Sequence, residues 1–112
     1  MLALLASLAT PLAGCGAFYG TDFVRTGTED QFPRTDASRI VIVGDEAGRP
    51  EGAVVELGLV RAAGYGDRVS EAYVWRRLRA QAAELGATSI IHLRRDQSGL
   101  DLVLVGLAVR ER

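Results

Sequence analysis

The chain has very little cysteine, histidine or methionine, and it has no lysine. One Cys, one His and one Met occur among its 112 residues, so an internal disulfide is impossible and a zinc site closed by Cys and His ligands is excluded. The 13 basic residues, all Arg, nearly balance 14 acidic ones, giving a net charge of −1. This balance argues against a protein that binds nucleic acid through a broad basic surface. The hydrophobic fraction of 48% is instead typical of a globular domain.

The first 14 residues carry no charged side chain. The apolar run over residues 2–9, broken by Pro11 and closed by small residues, is typical of the core of a signal peptide. It is too short to span a membrane, which takes about 20 apolar residues. Only the α-amino group supplies positive charge, so either translation starts upstream of Met1 or the signal is weak. The alternative interpretation is a buried N-terminal helix in which Cys15 is a small apolar residue.

The four residues after this run resemble the bacterial lipobox, the cleavage and lipidation signal of secreted lipoproteins: Leu12, Ala13, Gly14 and Cys15. In that family the Cys becomes the first mature residue and carries a diacylglyceryl thioether and an acylated amine. The resemblance implies a lipoprotein of the cell envelope whose partners are the lipid membrane, through Cys15, and another envelope protein. Gly16, rather than Asp, after the Cys implies the outer membrane, facing the periplasm.

Residues 16–38 contain Gly, Thr, Asp, Arg and scattered aromatics without a sustained period of 2.0 or 3.6. This composition predicts a flexible tether. The predicted organisation is a signal peptide over residues 1–14, a lipidated Cys and tether over 15–38, and a folded domain over 39–112. The alternative is that the aromatic side chains dock back onto the domain: Phe18, Tyr19, Phe23 and Phe32.

The folded part predicts strands around one helix. β-Branched and apolar runs bounded by turn residues indicate four strands, over residues 39–43, 53–60, 88–93 and 100–109. The last is apolar on both faces, which is typical of a central strand. The Gly-rich stretch 62–67 predicts a loop, and 95–99 a turn. The predicted fold class is α+β: a two-layer β-β-α-β-β domain with one helix packed on a small sheet.

The helix has the clearest pattern. Asp67 or Ser70 can cap its N-terminus, and Gly86 is placed to end it. At 100° per residue, five apolar side chains fall within an arc of about 100°, the width of a stripe that faces a core. These are Val74, Trp75, Leu78, Ala82 and Leu85.

The junction between this helix and the next strand, residues 78–91 (LRAQAAELGATSII), resembles the corresponding junction of two small bacterial families. One is the YbjQ-like family, described as heavy-metal-binding. The other is the outer-membrane lipoprotein sensor of the Rcs envelope-stress phosphorelay. Both place an Ala-rich helix ending in Leu-Gly-Ala, or a variant of it, before a buried strand. The resemblance implies the fold and a binding, structural or stress-sensing role. It also leaves open an oligomeric, small-ligand or metal-binding module that is not lipidated.

The sequence contains no complete motif for catalysis or nucleotide binding. Gly64 and Gly66 give G-x-G after a strand, but Val69 stands where a dinucleotide-binding fingerprint needs its third Gly, and Asp67 would repel phosphate. His92 is the one imidazole, and the spacing places neither a ligand cluster nor a nucleophile beside it. We therefore expect no catalytic residues, no metal site, no cofactor and no enzymatic activity.

Three arginines flank the apolar arc of the helix: Arg76, Arg77 and Arg79. None has a carboxylate three or four positions away in the helix, so pairing within the helix does not account for them. They are a candidate anion-facing surface for lipid headgroups or an acidic partner. The alternative is a solvated helix face paired with acids from elsewhere in the chain, such as Glu46 or Glu56.

Overall fold

A computed structural model of the protein describes residues 17–27, 32–43 and 54–111. These residues form a small α+β domain with one helix and a five-stranded mixed sheet, which confirms the predicted fold class. In chain order the elements are β1 (Ala17–Arg25), a short 3₁₀ turn (Ala37–Arg39), β2 (Val41–Ile42), β3 (Val54–Gly66), α1 (Glu71–Glu84), β4 (Ser89–Ser98) and β5 (Asp101–Glu111).

The strand order in the sheet is β1-β3-β5-β4-β2. Strand β2 runs parallel to β4, and the other neighbours are antiparallel. Strand β5 lies in the middle, as its double-sided apolar pattern predicts. Helix α1 packs against the sheet, so the domain has two layers.

Strand β1 corrects the prediction of a tether. Residues 17–25 pair with β3 along their whole length, from Ala17 opposite Gly66 to Arg25 opposite Gly58. The strand lies at the edge of the sheet, where most of its side chains stay partly exposed. It therefore lacks the polar-apolar alternation by which a strand is normally recognised. Because β1 comes first, the predicted order of β-β-α-β-β is not confirmed.

The predicted loop over 62–67 and the predicted turn over 95–99 are wrong for most of their length. Strand β3 continues to Gly66, and β4 continues to Ser98. Small residues in β3 allow the helix layer to approach closely. A Cβ on Gly64 would lie 2.6 Å from Cγ1 of Val69 and 3.1 Å from Cγ2 of Val74. The glycine therefore permits close packing of the two layers.

Helix α1 begins and ends at the signals in its sequence. The Ser70 side chain accepts a hydrogen bond from the backbone N–H of Tyr73, as an N-cap does. At the other end Gly86 has a φ of +85°, and its N–H donates to the carbonyl of Ala83. The next N–H, of Ala87, donates to the carbonyl of Ala82. This pair of bonds is a Schellman motif and confirms Gly86 as the residue that ends the helix.

The core lies between α1 and one face of the sheet. Four of the five predicted helix residues are fully buried: Val74, Leu78, Ala82 and Leu85. They form one cluster with buried residues of the three central strands, including Val60, Ala62, Ile90, Leu104 and Ala108. The fifth, Trp75, is only partly buried and packs at the margin of this cluster.

Residues 32–40, mostly assigned to the tether by the sequence, lie against the C-terminal end of the helix. The N–H of Thr35 donates to the carbonyl of Ala83, and its hydroxyl donates to the carbonyl of Ala87 at 2.6 Å. The ring of Phe32 lies 4.9 Å from the guanidinium carbon of Arg110. This segment is part of the domain, so the predicted tether over 15–38 is corrected here too. The alternative of docked aromatic residues fits Phe32 and, in β1, Tyr19.

Candidate functional site

A groove lies between helix α1 and the 3₁₀ turn that precedes β2. It has a volume of about 370 Å³ and is lined by Ala37, Ser38, Ile40, Arg76 and Arg79. Ile40 is 5% exposed and belongs to the hydrophobic core, so the floor of the groove is apolar. Two guanidinium groups lie beside an apolar floor, and that combination suits a ligand that joins an anionic group to a hydrocarbon part.

Helix geometry places the two arginines of this groove together. Arg76 and Arg79 are three positions apart, so they share one face of α1, while burial of Val74 and Leu78 fixes the rotation of the helix. The guanidinium carbon of Arg76 lies 5.5 Å from the centroid of the Tyr73 ring. Within the described residues, neither arginine of the groove has a carboxylate within 4.0 Å. The described residues therefore supply no carboxylate that pairs with either charge.

Arg77, the third candidate residue, lies on the opposite flank of the helix. Its guanidinium donates hydrogen bonds to the hydroxyls of Thr21, at 3.3 Å, and Tyr73, at 3.5 Å. Its Nε is buried and has no hydrogen-bond partner in the part of the chain that the structure describes. Arg77 thus connects α1 to strand β1. The structure brings Arg76 and Arg79 together at the groove. Arg77 does not line the groove, although its guanidinium carbon, like that of Arg76, lies beside the Tyr73 ring, at 5.7 Å from the centroid.

Acidic side chains near the groove already have partners. Asp36 accepts hydrogen bonds from the hydroxyl and the backbone N–H of Ser38, and these bonds hold the pKa of its carboxyl below the ordinary value of 3.8. At the far end of the helix, Glu84 pairs with Arg34 at 2.6 Å. Neither carboxylate forms an ion pair with Arg76 or Arg79 within the described residues.

The Gly-rich segment has a packing role in place of a phosphate-binding one. Gly64 lies inside β3 under the helix layer, and Gly66 ends the strand with a φ of +103°. His92 is exposed at a bulge between Ile91 and Arg94 of β4, with a φ of +52°. Residues 17–27, 32–43 and 54–111 contain no group of three or more His, Cys, Asp or Glu side chains that could hold a metal ion.

The predicted lipidation motif, Leu12 to Cys15, lies outside the described residues, as does the predicted signal peptide. Strand β1 begins at Ala17, two positions after Cys15. In the described part of the chain, no helix has the length and apolarity needed to cross a membrane.

Comparison of the chain with protein-family models, with curated proteins and with solved structures finds no match. The site must therefore be interpreted from its own chemistry.

Sequence reasoning identifies two of the groove residues but misses the second wall of the groove. The sequence assigns Ala37 and Ser38 to the tether, yet they form the 3₁₀ turn beside α1. A local signal for this turn is present, because an Asp two positions before a Ser can cap a turn by accepting its N–H, as Asp36 does here.

Proposed function

We propose that this chain is a lipoprotein of the bacterial cell envelope, with a small non-enzymatic domain that binds an amphipathic anion. The observation that carries the proposal is the lipobox-like sequence ending at Cys15, immediately behind an uncharged apolar run. Two acyl chains or more would anchor the protein stably, since each buried CH₂ contributes about 0.8 kcal/mol. In diderm bacteria, Gly16 after the Cys favours the outer membrane, with the domain in the periplasm.

The position of β1 supports close approach of the domain to the membrane. Ala17 follows Cys15 by two positions, a reach of roughly 7 Å at about 3.3–3.6 Å per residue. The end of the sheet where β1 begins also carries the turn between β4 and β5. Two apolar side chains are exposed at this end, Phe18 at 69% and Leu100 at 62%. Such residues suit the interface between lipid headgroups and hydrocarbon.

Lipidation is tested by detergent phase separation and by mass spectrometry of the mature N-terminus. The native chain should partition into the detergent phase and begin at an acylated Cys15. Cys15→Ser should move the protein to the aqueous phase, because no other thiol is present. Gly16→Ala, which keeps the thiol, should remain in the detergent phase. An unprocessed native chain in the aqueous phase would contradict the proposal.

The groove is tested with decyl phosphate, a probe that combines an anionic group with a hydrocarbon chain. We expect the Cys15→Ser chain to bind decyl phosphate more tightly than inorganic phosphate or decanol, since only the first uses both parts of the groove. Arg76→Gln with Arg79→Gln should abolish this preference. Arg25→Gln with Arg68→Gln removes the same formal charge elsewhere and should preserve it. Equal binding of all three probes would contradict a role for this groove.

A further inference from the structure

The sheet has a second face that no described element covers. Helix α1 is the only element outside the sheet that packs on the strands of the described residues, and it occupies one side. We define the free face as the set of side chains on the opposite side. Strand β5 contributes four half-buried or buried apolar residues to it: Val103, Val105, Leu107 and Val109. A strand with one solvated face normally alternates apolar and polar residues, and β5 does not.

Two neighbouring rows across the free face are defined by the strand registers. The first row is apolar, and it runs from β4 to β1 through Ile91, Leu107, Leu59 and Val24. Leu59 and Val24 are 45% and 63% exposed, although both are large and apolar. Leu107 is half-buried, and Ile91 is only 4% exposed. The second row, one pleat along the strands, consists of Arg94, Val105, Arg61 and Asp22. It begins with a positive charge on β4 and ends with a negative charge on β1.

The charges of the second row are not neutralised equally within the chain. Arg61 lies 3.9 Å from Asp22 and donates a hydrogen bond to the Tyr65 hydroxyl at 2.6 Å. The charge of Arg61 therefore has partners within its own chain. Arg94 is exposed and has no carboxylate within 4.0 Å among the described residues. The Asp22 side chain is 67% exposed, so it can accept a further cation.

We propose that the free face binds a second copy of this chain, through a two-fold axis parallel to the strands and midway between β3 and β5. Rotation about that axis lays β4 over β1 of the other copy, and β5 over β3. Arg94 then faces Asp22 of the second copy, and Ile91 faces Val24. In the centre Leu107 faces Leu59. Each contact occurs twice, as in any two-fold interface.

A two-fold axis perpendicular to the strands would instead lay each strand over its own copy. With that axis through the charged row, Arg94 would face Arg94 and Asp22 would face Asp22, which is unfavourable. Charge complementarity thus favours the first arrangement. It aligns the strands of the two sheets approximately, as in sandwich packing.

The size of the free face agrees with what a specific dimer needs. Four strands spaced about 4.8 Å apart, each with about nine residues rising roughly 3.3 Å, give a projected area of about 600 Å². The accessible area of a pleated surface with side chains exceeds its projection. A standard interface buries about 800 Å² per partner, so the dimer must use most of this face.

Charge reversal tests the proposed dimer in the full chain carrying Cys15→Ser, so that acyl groups do not contribute. Sedimentation equilibrium should give twice the 12.0 kDa mass of the chain. Asp22→Arg alone creates two Arg–Arg contacts, and Arg94→Asp alone creates two Asp–Asp contacts. We expect each to raise the dissociation constant at least tenfold. Combining both changes in one chain, or mixing the two single variants, restores every opposite-charge pair and should restore the dimer.

Arg68→Asp, a charge reversal outside the free face, is the matched control and should leave the mass unchanged. A second measurement uses covalent cross-linking: the double variant Asp22→Cys and Arg94→Cys, at two exposed positions, should be joined into dimers by a bismaleimide that spans about 10 Å, the distance between packed sheets. Phe23→Cys, on the helix side of β1, should not. A native monomer at 100 µM, unchanged association of Asp22→Arg, or no recovery on mixing would overturn the proposal. These outcomes do not depend on whether Cys15 is lipidated.

Discussion

The hydroxyl oxygen of Tyr19 accepts a hydrogen bond of 2.9 Å from the backbone N–H of Ser70. Its ring meets the ring of Tyr73 edge-on, with 4.5 Å between centroids. Tyr19 belongs to the edge strand β1, whereas Ser70 caps helix α1. The first N–H groups of a helix have no partners within it, so this contact joins the edge of the sheet to the start of the helix.

Tyr19 should contribute to stability through both its ring and its hydroxyl. Tyr19→Phe removes only the hydrogen bond and should lower the free energy of unfolding by about 1 kcal/mol. Tyr19→Ala also removes the packing against Tyr73 and should cost about 3 kcal/mol. Urea denaturation measures both variants. Native stability of Tyr19→Ala would show that β1 is not fastened to the helix.

Gly86 should tolerate alanine poorly, for two reasons. Its φ of +85° is unfavourable for an L side chain, and an added Cβ would lie 2.7 Å from Cβ of Phe32. Gly86→Ala should destabilise the domain by more than the roughly 1–2 kcal/mol of the backbone conformation alone.

Two other glycines distinguish the cost of the backbone conformation from the cost of the steric clash. Gly99 has a φ of +60° with open space around it, so Gly99→Ala should show the backbone cost only. Gly20 has neither constraint, and Gly20→Ala should change stability by less than about 0.5 kcal/mol. Thermal unfolding of the three variants should rank them in this order, and a different order would contradict the structure.

The ion pair between Glu71 and Arg95 should make stability depend on pH in the acid range. The hydrogen bond from Arg95, 2.5 Å long, holds the pKa of the Glu71 carboxyl below its ordinary value of 4.5. A carboxyl with a lowered pKa in the folded state stabilises that state fully above the unfolded value. The stabilisation is lost as the pH falls through the folded value.

The variant Arg95→Gln should therefore be less stable than the native chain above about pH 5, by a constant difference. Below pH 4.5 the difference should shrink as Glu71 becomes protonated in both states. Urea denaturation from about pH 7 to pH 3 measures this. Arg25→Gln, which breaks no ion pair in the described structure, is the control. A difference that stays constant down to pH 3 would show that the pair does not form.

The three helix arginines should divide into one structural residue and two functional ones. Arg77→Gln loses hydrogen bonds to Thr21 and Tyr73 and the packing of its stem, and should cost about 1–2 kcal/mol of stability. Arg76→Gln with Arg79→Gln should change stability by less than about 0.5 kcal/mol. Denaturation midpoints measure the contrast. If Arg77→Gln and the double variant lowered the free energy of unfolding equally, the structural role assigned to Arg77 would be wrong.

The helix could be predicted well because its signals are local. Ser70, Gly86 and the spacing of four buried apolar residues all lie within one stretch of about 17 residues and define the element without reference to the sheet. Of the two predicted candidates for the N-cap, Asp67 and Ser70, the structure uses Ser70, and Gly86 ends the helix as predicted. Trp75 fits the same spacing but lies at the edge of the core. Periodicity shows which way a side chain faces, and does not show how deeply it is buried.

Long-range pairing explains most of what the sequence did not reveal. Strand β1 depends on partners far along the chain, as with Arg25 and Gly58, so its own residues carry little pattern. The outer half of β4 is polar because β2 pairs only with its first two residues, opposite Val41 and Ile42, and leaves the rest at an edge. The groove requires the 3₁₀ turn and α1 to meet, which no local spacing encodes.

The place of β1 in the chain also determines how long this strand stays unpaired during synthesis. A polypeptide leaves the ribosome, or a secretion channel, with its N-terminus first, yet among the described strands β1 pairs with β3 alone. Full pairing waits until Gly66, the partner of Ala17, has emerged. Until then Phe18 and Phe23 lie in a strand without a neighbour, the kind of segment that aggregates readily. The first strand to be synthesised thus stays unpaired until β3 has emerged, and this interval is the one in which a holding factor acts.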